Sequence, residues 1–382
     1  MKLGIAAIFK NEFDYILEWI AYHQLIGVDK FFIADNVSND GSSQLLEALD
    51  SLGIINRVYF PRVEDAGPQV PAYNKILQEY GAEVDLLAFI DADEFIVTTN
   101  DRPLKENLQK FYRMEDAGAL ALNWRNFGSS REVFKGAEPV IKRFTLCSRK
   151  DHNFNRHIKS ILKPHMTERM NIHECVLKLG RYYSSDLKPA VFENGEPCGP
   201  KTAGVVYEAV RVNHYVVKSK QEHILNKDKK GSGAGSATRR KGQAYFRAHD
   251  LNDELDNSLM RFVPGVKRCV EEFKELLVRE SPYLSFGSAN IAIRGGIISG
   301  WAVSEYDGDL KVRLLINGAE HLVDVNQPRP DVLRKGGSRK LVCGFRYRHD
   351  SKLTSMDDVK GYIYGTTIEC SVRHISPDIG VG

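Results

Sequence analysis

The chain has 382 residues, long for a single core, so two domains are the natural expectation. Its 53 Lys and Arg against 50 Asp and Glu leave a formal charge of +3, and no sustained basic stripe interleaved with aromatics runs through it, which excludes nucleic-acid binding as the main role. A weakly basic pocket for a phosphorylated small molecule stays open. The six cysteines (Cys147, Cys175, Cys198, Cys269, Cys343, Cys370) are dispersed, without a Cys-x-x-Cys pair or a His at zinc spacing, and read as reduced, mostly buried thiols. The apolar run from Met1 to Phe9 stops at Lys10-Asn11-Glu12 without a cleavage region, and no later stretch nears the ~18 apolar residues of a membrane span. A soluble, cytoplasmic protein is expected, with peripheral contact at the inner face of a membrane and self-association into a homo-oligomer both left open.

Leu3 to Phe9 reads as a buried strand, after which Phe13, Ile16, Leu17 and Ile20 take up helical spacing until Gly27. Lys30 to Ala34 is a second strand. The turn-rich Asp35-Asn-Val-Ser-Asn-Asp-Gly41 then enters a helix faced by Leu45, Leu46, Leu49 and Leu52. Arg57 to Phe60 is a third strand, and Pro71 opens a helix carrying Tyr73, Ile76, Leu77 and Tyr80. Leu86 to Ile90 is a fourth strand. Four strands alternating with three helices specify a βαβ succession, with its polar loop residues gathered on one sheet edge. A Rossmann dinucleotide site is disfavoured, because Lys10-Asn11-Glu12 stands where a glycine-rich phosphate loop would be.

The fourth strand ends on Asp91, Asp93 and Glu94, at the edge where open α/β sheets place ligands. If the extended conformation persists, Asp91 and Asp93 point the same way and share one hard cation, Mg²⁺ or Mn²⁺, which could hold a diphosphate. The competing reading is a solvated acidic turn. Further on, Leu104, Leu108 and Phe111 suggest a helix, Ala119 to Leu122 a strand, and Val140 to Leu146, Ser160 to Lys163 and Val210 to Val217 extended segments. His173-Glu174 and His214 interrupt this apolar material. Residues 226–244 form a basic, glycine-rich loop, readable as a solvated linker or as a lid over a diphosphate. Helices are expected around Asp253–Phe262 and Val266–Arg279, with a domain boundary at Ser281-Pro282. Beyond residue 287, short strands and the Asn317-Gly318 hairpin signal suggest an antiparallel β-sandwich over 283–382.

Taken together, Lys10-Asn-Glu12, Leu17-Glu-Trp-Ile-Ala-Tyr-His23, Asp35-Asn-Val-Ser-Asn-Asp-Gly41, Asp91-Ala-Asp-Glu-Phe95, Trp124-Arg-Asn-Phe-Gly128 and Asn213-His-Tyr-Val-Val-Lys-Ser219 resemble the GT-A glycosyltransferases of the family-two-like and family-ninety-two-like type. The likeness covers roughly residues 1–260. Ile298-Ser-Gly-Trp-Ala302, Arg329-Pro-Asp-Val332 and Cys343-Gly-Phe345 resemble a β-sandwich appended to some bacterial glycosyltransferases. The resemblance implies a GT-A domain over 1–282, α/β with a mostly parallel, Rossmann-like nucleotide-binding sheet, and an accessory module over 283–382. It implies Asp93 as main ligand of a divalent cation, Asp91 toward the ribose or the metal's water shell, and His214 completing the set, with Mn²⁺ or Mg²⁺ as the metal. Asn11, Glu12, Asp35, Asp40 and Asn74 would serve the nucleotide pocket, and Lys218 and Lys227 the diphosphate. Glu174 and Asp151 are the candidate bases for an inverting transfer. The implied activity moves a hexose from a nucleotide sugar, UDP-linked, to a saccharide or glycolipid in bacterial surface-polysaccharide synthesis. A sugar-nucleotide nucleotidyltransferase and a non-catalytic glycan-binding protein are the alternatives.

Overall fold

The computed structural model describes residues 1–374 apart from 39, 63–66, 137, 228–240, 281–286, 305–309, 335–337, 339–340, 355–356 and 365–369. The chain divides into two compact units, Met1–Leu276 and Leu277–Gly382. The basic stretch 228–240 lies outside the described residues, and with it most of the lid expectation; so does the Ser281-Pro282 boundary.

In the first unit, β1 (Leu3–Phe9) is buried almost throughout because it is apolar on both faces and flanked by parallel neighbours. Helix α1 (Phe13–Leu25) leads to β2 (Lys30–Asp35), α2 (Ser42–Ser51) to β3 (Asn56–Tyr59), and α3 (Gln69–Tyr80) to β4 (Leu86–Phe89). Then come β5 (Glu94–Thr98), α4 (Leu104–Arg113), β6 (Ala117–Asn126), a helical turn α5 (Val140–Arg143), β7 (Leu146–Cys147), β8 (Ile158–Leu162), β9 (Thr167–Met170), β10 (Cys175–Leu177), β11 (Arg181–Ser184) and β12 (Val210–His214). The main sheet runs β3-β2-β1-β4-β8-β6-β12-β5, with β11 also beside β6. All pairings from β3 to β4 are parallel; β8 is antiparallel to both β4 and β6, β12 is parallel to β6, and β5 is antiparallel to β12. The carboxyl ends of β1, β2, β4, β6 and β12 therefore share one edge with the first residues of β5 and β8. This is the α/β class with a mostly parallel sheet that the sequence leads one to expect.

Two local expectations fail. Val140–Arg143 is a helical turn rather than extended, because the Glu18 carboxylate accepts hydrogen bonds from the backbone N–H groups of Val140 (2.8 Å) and Ile141 (3.1 Å) and caps it. Asp253–Phe262 is not a helix: Glu254–Leu255 pairs with β7, and only Met260–Phe262 coils. The helix nearby is Gln243–His249.

In the second unit, a five-stranded sheet (Gly287–Arg294, Ile297–Ser304, Gln327–Pro328, Val342–Arg348, Ser371–His374) and a three-stranded one (Lys311–Ile316, Ala319–Asp324, Val359–Ile363) share one apolar core that includes Ile291, Ile298, Phe345, Leu314 and Ile363. It is a sandwich, antiparallel except where Gly287–Arg294 meets Ser371–His374 in parallel. Asn317 and Gly318 both take positive φ (48° and 84°), the geometry of a tight hairpin whose twist matches its strands. Among the described residues no helix is long and apolar enough to cross a membrane, and none of the six cysteines is paired.

Candidate functional site

At the end of β4 the chain does not stay extended. Residues 92 and 93 form a turn closed by the Glu94 N–H donating to the Asp91 carbonyl (3.1 Å), so the two aspartates diverge instead of sharing one cation. Asp91 Oδ1 accepts from Gln69 Nε2 (2.6 Å) and Tyr73 O–H (2.9 Å) and lies 2.9 Å from the Lys159 ammonium. Lys159 is fully buried and reaches Glu94 as well, at 3.6 Å. Burial alone would raise the Asp91 carboxyl, but Lys159 holds it below the ordinary value. Burial drives Glu94 well above the carboxylate range; one of its oxygens accepts the Asp91 N–H (2.8 Å) and the other makes no hydrogen bond among the described residues. The Asp91 charge is thus matched by Lys159.

Asp93 turns the other way. One oxygen pairs with the Lys227 ammonium, and the other stands 3.6 Å from His214 Nε2. Burial opposes its ionisation, yet Lys227 and His214 keep it well below the usual range. The tautomer of His214 is set by its neighbours. Asn155 Oδ1 accepts from the Asn126 backbone N–H (3.0 Å), so it also faces Asn126 Nδ2 (3.0 Å) as an acceptor. Asn126 Oδ1 is then left for His214 Nδ1 at 3.1 Å, which must carry the proton. Burial keeps the imidazole neutral. The Nε2 lone pair and the Asp93 carboxylate thus face each other with no proton between them, a donor pair suited to a divalent cation with mixed nitrogen and oxygen ligands. Among the described residues no three His, Cys, Asp or Glu side chains converge at metal-binding spacing.

Glu12, Tyr15, Lys218, Glu222, Lys227 and Asp93 line one pocket, partly open to solvent. Lys218 is buried, has φ of 55°, and lies 3.9 Å above the Tyr15 ring without a carboxylate partner among the described residues. The next turn of chain anchors its backbone: Ser219 and Glu222 form a reciprocal cap, and Glu222 accepts two hydrogen bonds from Arg143 (2.7 and 2.9 Å) and one from Tyr15 (2.7 Å). Burial opposes the charge of Glu222, but Arg143 carries its carboxyl down to about 2. Asn11 (φ 52°) and Val37 (φ 49°) are also left-handed; in a β-branched residue this is strain, stored beside the pocket's first loop.

Several of the expected nucleotide residues also brace the scaffold. Asp35 is fully buried, with Arg57 on one oxygen (2.8 and 3.0 Å) and Ser43 and the Val37 N–H on the other, so it organises its loop and has no free face for a ligand. Asn74 spends its amide on Val70 and Met170, tying α3 to β9. Asp40 accepts from the N–H groups of Phe13 and Ser42, bridging the starts of α1 and α2. Glu174 is bonded to Asn171 Nδ2 (2.8 Å) in the β9–β10 turn, and Asp151 is exposed before Asn153–Arg156; neither lines the Asp93 pocket. Lys159 and the Asn155–Asn126–His214 relay went unforeseen. The only sequence signal for Lys159 is a cation in an otherwise apolar strand.

Residues 5–192 match the family model Glycosyltransferase family 92. A family 92 protein of Oryza sativa subsp. japonica is 28% identical over 130 residues, covering 34% of this chain and 22% of that protein. One of Arabidopsis thaliana is 25% identical over 174 residues, covering 43% and 29%. The chain thus spans less than a third of the length of these two relatives. Among solved structures, S. aureus TarS aligns over 99% of this chain and 79% of its own, at 13% identity and a TM-score of 0.30, a likeness too loose to carry any inference. The likeness to glycosyltransferase family 92 thus lies in residues 5–192.

Proposed function

We propose that this chain transfers a hexose, with inversion, from a UDP-linked nucleotide sugar to a saccharide or glycolipid acceptor in surface-polysaccharide synthesis, using Mn²⁺ or Mg²⁺. The observation that carries the reading is the Asp93 carboxylate facing the unprotonated His214 Nε2 at 3.6 Å, with Asp93 lining a pocket together with Lys218 and Lys227. Asp93 and His214 would hold the metal, and their mixed donor set fits Mn²⁺ better than Mg²⁺. Once bound, the metal supplies positive charge against the departing nucleoside diphosphate.

The chain's own residues do the rest. Lys218 offers its ammonium to phosphate oxygens. Lys227, now paired with Asp93, has a second anion to meet when a diphosphate enters. Lys159, Gln69 and Tyr73 fix Asp91 and thereby the turn that presents Asp93. Glu12 lines the same pocket and is proposed to face the nucleoside, with Asn11 beside it. The proposed division of labour puts donor chemistry in residues 1–282 and an accessory, acceptor-binding or assembly role in 283–382. Hydrolysis of a panel of nucleotide sugars, monitored with Mn²⁺ and with chelator, tests this. Metal-stimulated release of UDP, lost in Asp93→Asn, is expected; full metal-stimulated turnover in that variant overturns the metal site.

A further inference from the structure

Beside His214 the site changes character. Trp124, near the end of β6, has its ring centre 4.2 Å from that of His214, 4.8 Å from that of His157, stacked at 23°, and 5.2 Å from that of His173. His157 and His173 lie 5.5 Å apart. A core would fill such a place with aliphatic side chains. Here indole and imidazoles cluster, and Trp124, His157 and His173 each keep part of their surface open.

Their hydrogen bonding is directional. His157 Nδ1 lies 3.1 Å from the Phe154 carbonyl and His173 Nδ1 3.1 Å from the Ile158 carbonyl. A carbonyl only accepts, so both Nδ1 atoms carry the proton and both Nε2 atoms present lone pairs, without partners among the described residues. The Trp124 indole N–H, itself shielded from water, makes no hydrogen bond there either. Burial holds His157 down to about 4 and His173 to about 3, so neither is charged at neutral pH. The cluster thus offers an aromatic face and two acceptors, but no charge. Phosphate finds nothing to pair with here, whereas a pyranose presents C–H faces to aromatic rings and hydroxyl donors to lone pairs.

We propose that Trp124, His157 and His173 seat the pyranose ring of one of the two substrates, beside the cationic pocket that takes the phosphates. This rests on the glycosyl-transfer reading and extends it: His214 marks the line between a charged half that holds the diphosphate and a neutral half that holds sugar. Trp124 is then a specificity residue that touches substrate through its ring face.

The test is calorimetric titration of the full chain, as wild type, Trp124→Leu and His157→Phe, with Mn²⁺ present and folding checked by circular dichroism. The probes are UDP, a panel of UDP-hexoses, and a panel of methyl hexosides at saturating UDP. UDP should bind all three proteins alike. The extra affinity of a UDP-hexose over UDP, if the ring is the donor's, or the binding of a methyl hexoside, if it is the acceptor's, should fall about tenfold or more in a folded variant, roughly the loss of one stacking contact and its hydrogen bonds. Retention of both sugar terms in the two variants, their absence from the wild type, or an equal loss of UDP affinity in the variants overturns the inference. A wild type that binds neither UDP nor any UDP-hexose overturns the glycosyl-transfer reading instead.

Discussion

The two units handle charge in opposite ways. The first buries Asp35, Asp93, Glu94, Lys159, Lys218 and Glu222 to below a tenth of their exposure. In the second, the only polar side chain so buried among the described residues is Ser338. Lys311–Ile316 there alternates strictly, with Val312, Leu314 and Ile316 inward and Lys311 and Arg313 outward. Ionised groups without water around them cost several kcal/mol each unless paired, so a fold carries many of them only where they are arranged to meet something. The core of the sandwich is apolar, and the sheet edge of the first unit is where chemistry is to be sought.

The largest break in that contrast should come from Lys159→Met. Removing the cation leaves Asp91 half-enclosed beside Glu94 with no counter-charge, and losing one partner of a buried pair typically costs about 3–5 kcal/mol. Urea unfolding should show that loss, and adding Asp91→Asn should recover part of it. A Lys159→Met protein as stable as wild type would mean that the network is solvated and the contrast illusory.

Asp93→Asn should act on turnover rather than on folding. A drop of about a hundredfold or more in metal-stimulated donor hydrolysis is expected, the scale of removing one pre-placed charge from the reacting centre, with the melting temperature close to wild type because Lys227 still reaches solvent. In the other unit, Gly361→Ala should do the reverse. A Cβ there would stand 2.3 Å from Ile291 Cδ1 and 3.1 Å from Cys370 Sγ, both in the same core. Overpacking of this kind costs about 1–3 kcal/mol, to be seen as earlier melting of the sandwich with UDP affinity unchanged. Lost UDP binding in that variant would show that the units are not separable in function.

Acid should sharpen the comparison with the smallest effect. His23, fully buried, has a folded pKa of about 3 against 6.5 for the free side chain. Burial is the cause. A depressed folded value means the stabilisation is present above pH 6.5 and is lost as pH falls toward 3, with a slope of about 1.4 kcal/mol per pH unit for one such group. Denaturant midpoints between pH 7 and pH 5 should fall in wild type and flatten in His23→Leu, after allowing for that variant's lower baseline.

What could be read from the sequence was whatever depends on neighbours in the chain. Leu3–Phe9 and Leu86–Phe89 announce themselves as buried strands by composition, and Asn317-Gly318 as a hairpin by backbone preference. The acidic end of β4 was legible as a site for the same reason. Its geometry was not. Whether Asp91 and Asp93 share a cation depends on the turn at residues 92 and 93 and on Lys159, which arrives on an antiparallel strand inserted between β4 and β6. Nothing local to residue 91 encodes that strand's arrival. Likewise the donor state of His214 is decided by Asn126 and Asn155, which belong to other elements, and the scaffold roles of Asp35 and Asn74 by Arg57 and Met170.

Helix α1 sets three side chains along the backbone of β5. β5 is the last strand of the main sheet, paired only with β12. Its outward backbone groups are met by side chains: Trp19 Nε1 donates to the Glu94 carbonyl (2.8 Å), Tyr22 O–H to the Ile96 carbonyl (2.7 Å), and the Ile96 N–H donates to His23 Nε2 (3.3 Å). Three side chains on one helix stand in for the strand that is missing. An open edge is a template on which a foreign chain can extend the sheet, in aggregation or in strand-addition binding. Here that template is already filled, so the Trp-Ile-Ala-Tyr-His run of α1 serves as a guard against polymerisation, and loss of its polar atoms should show first as concentration-dependent self-association.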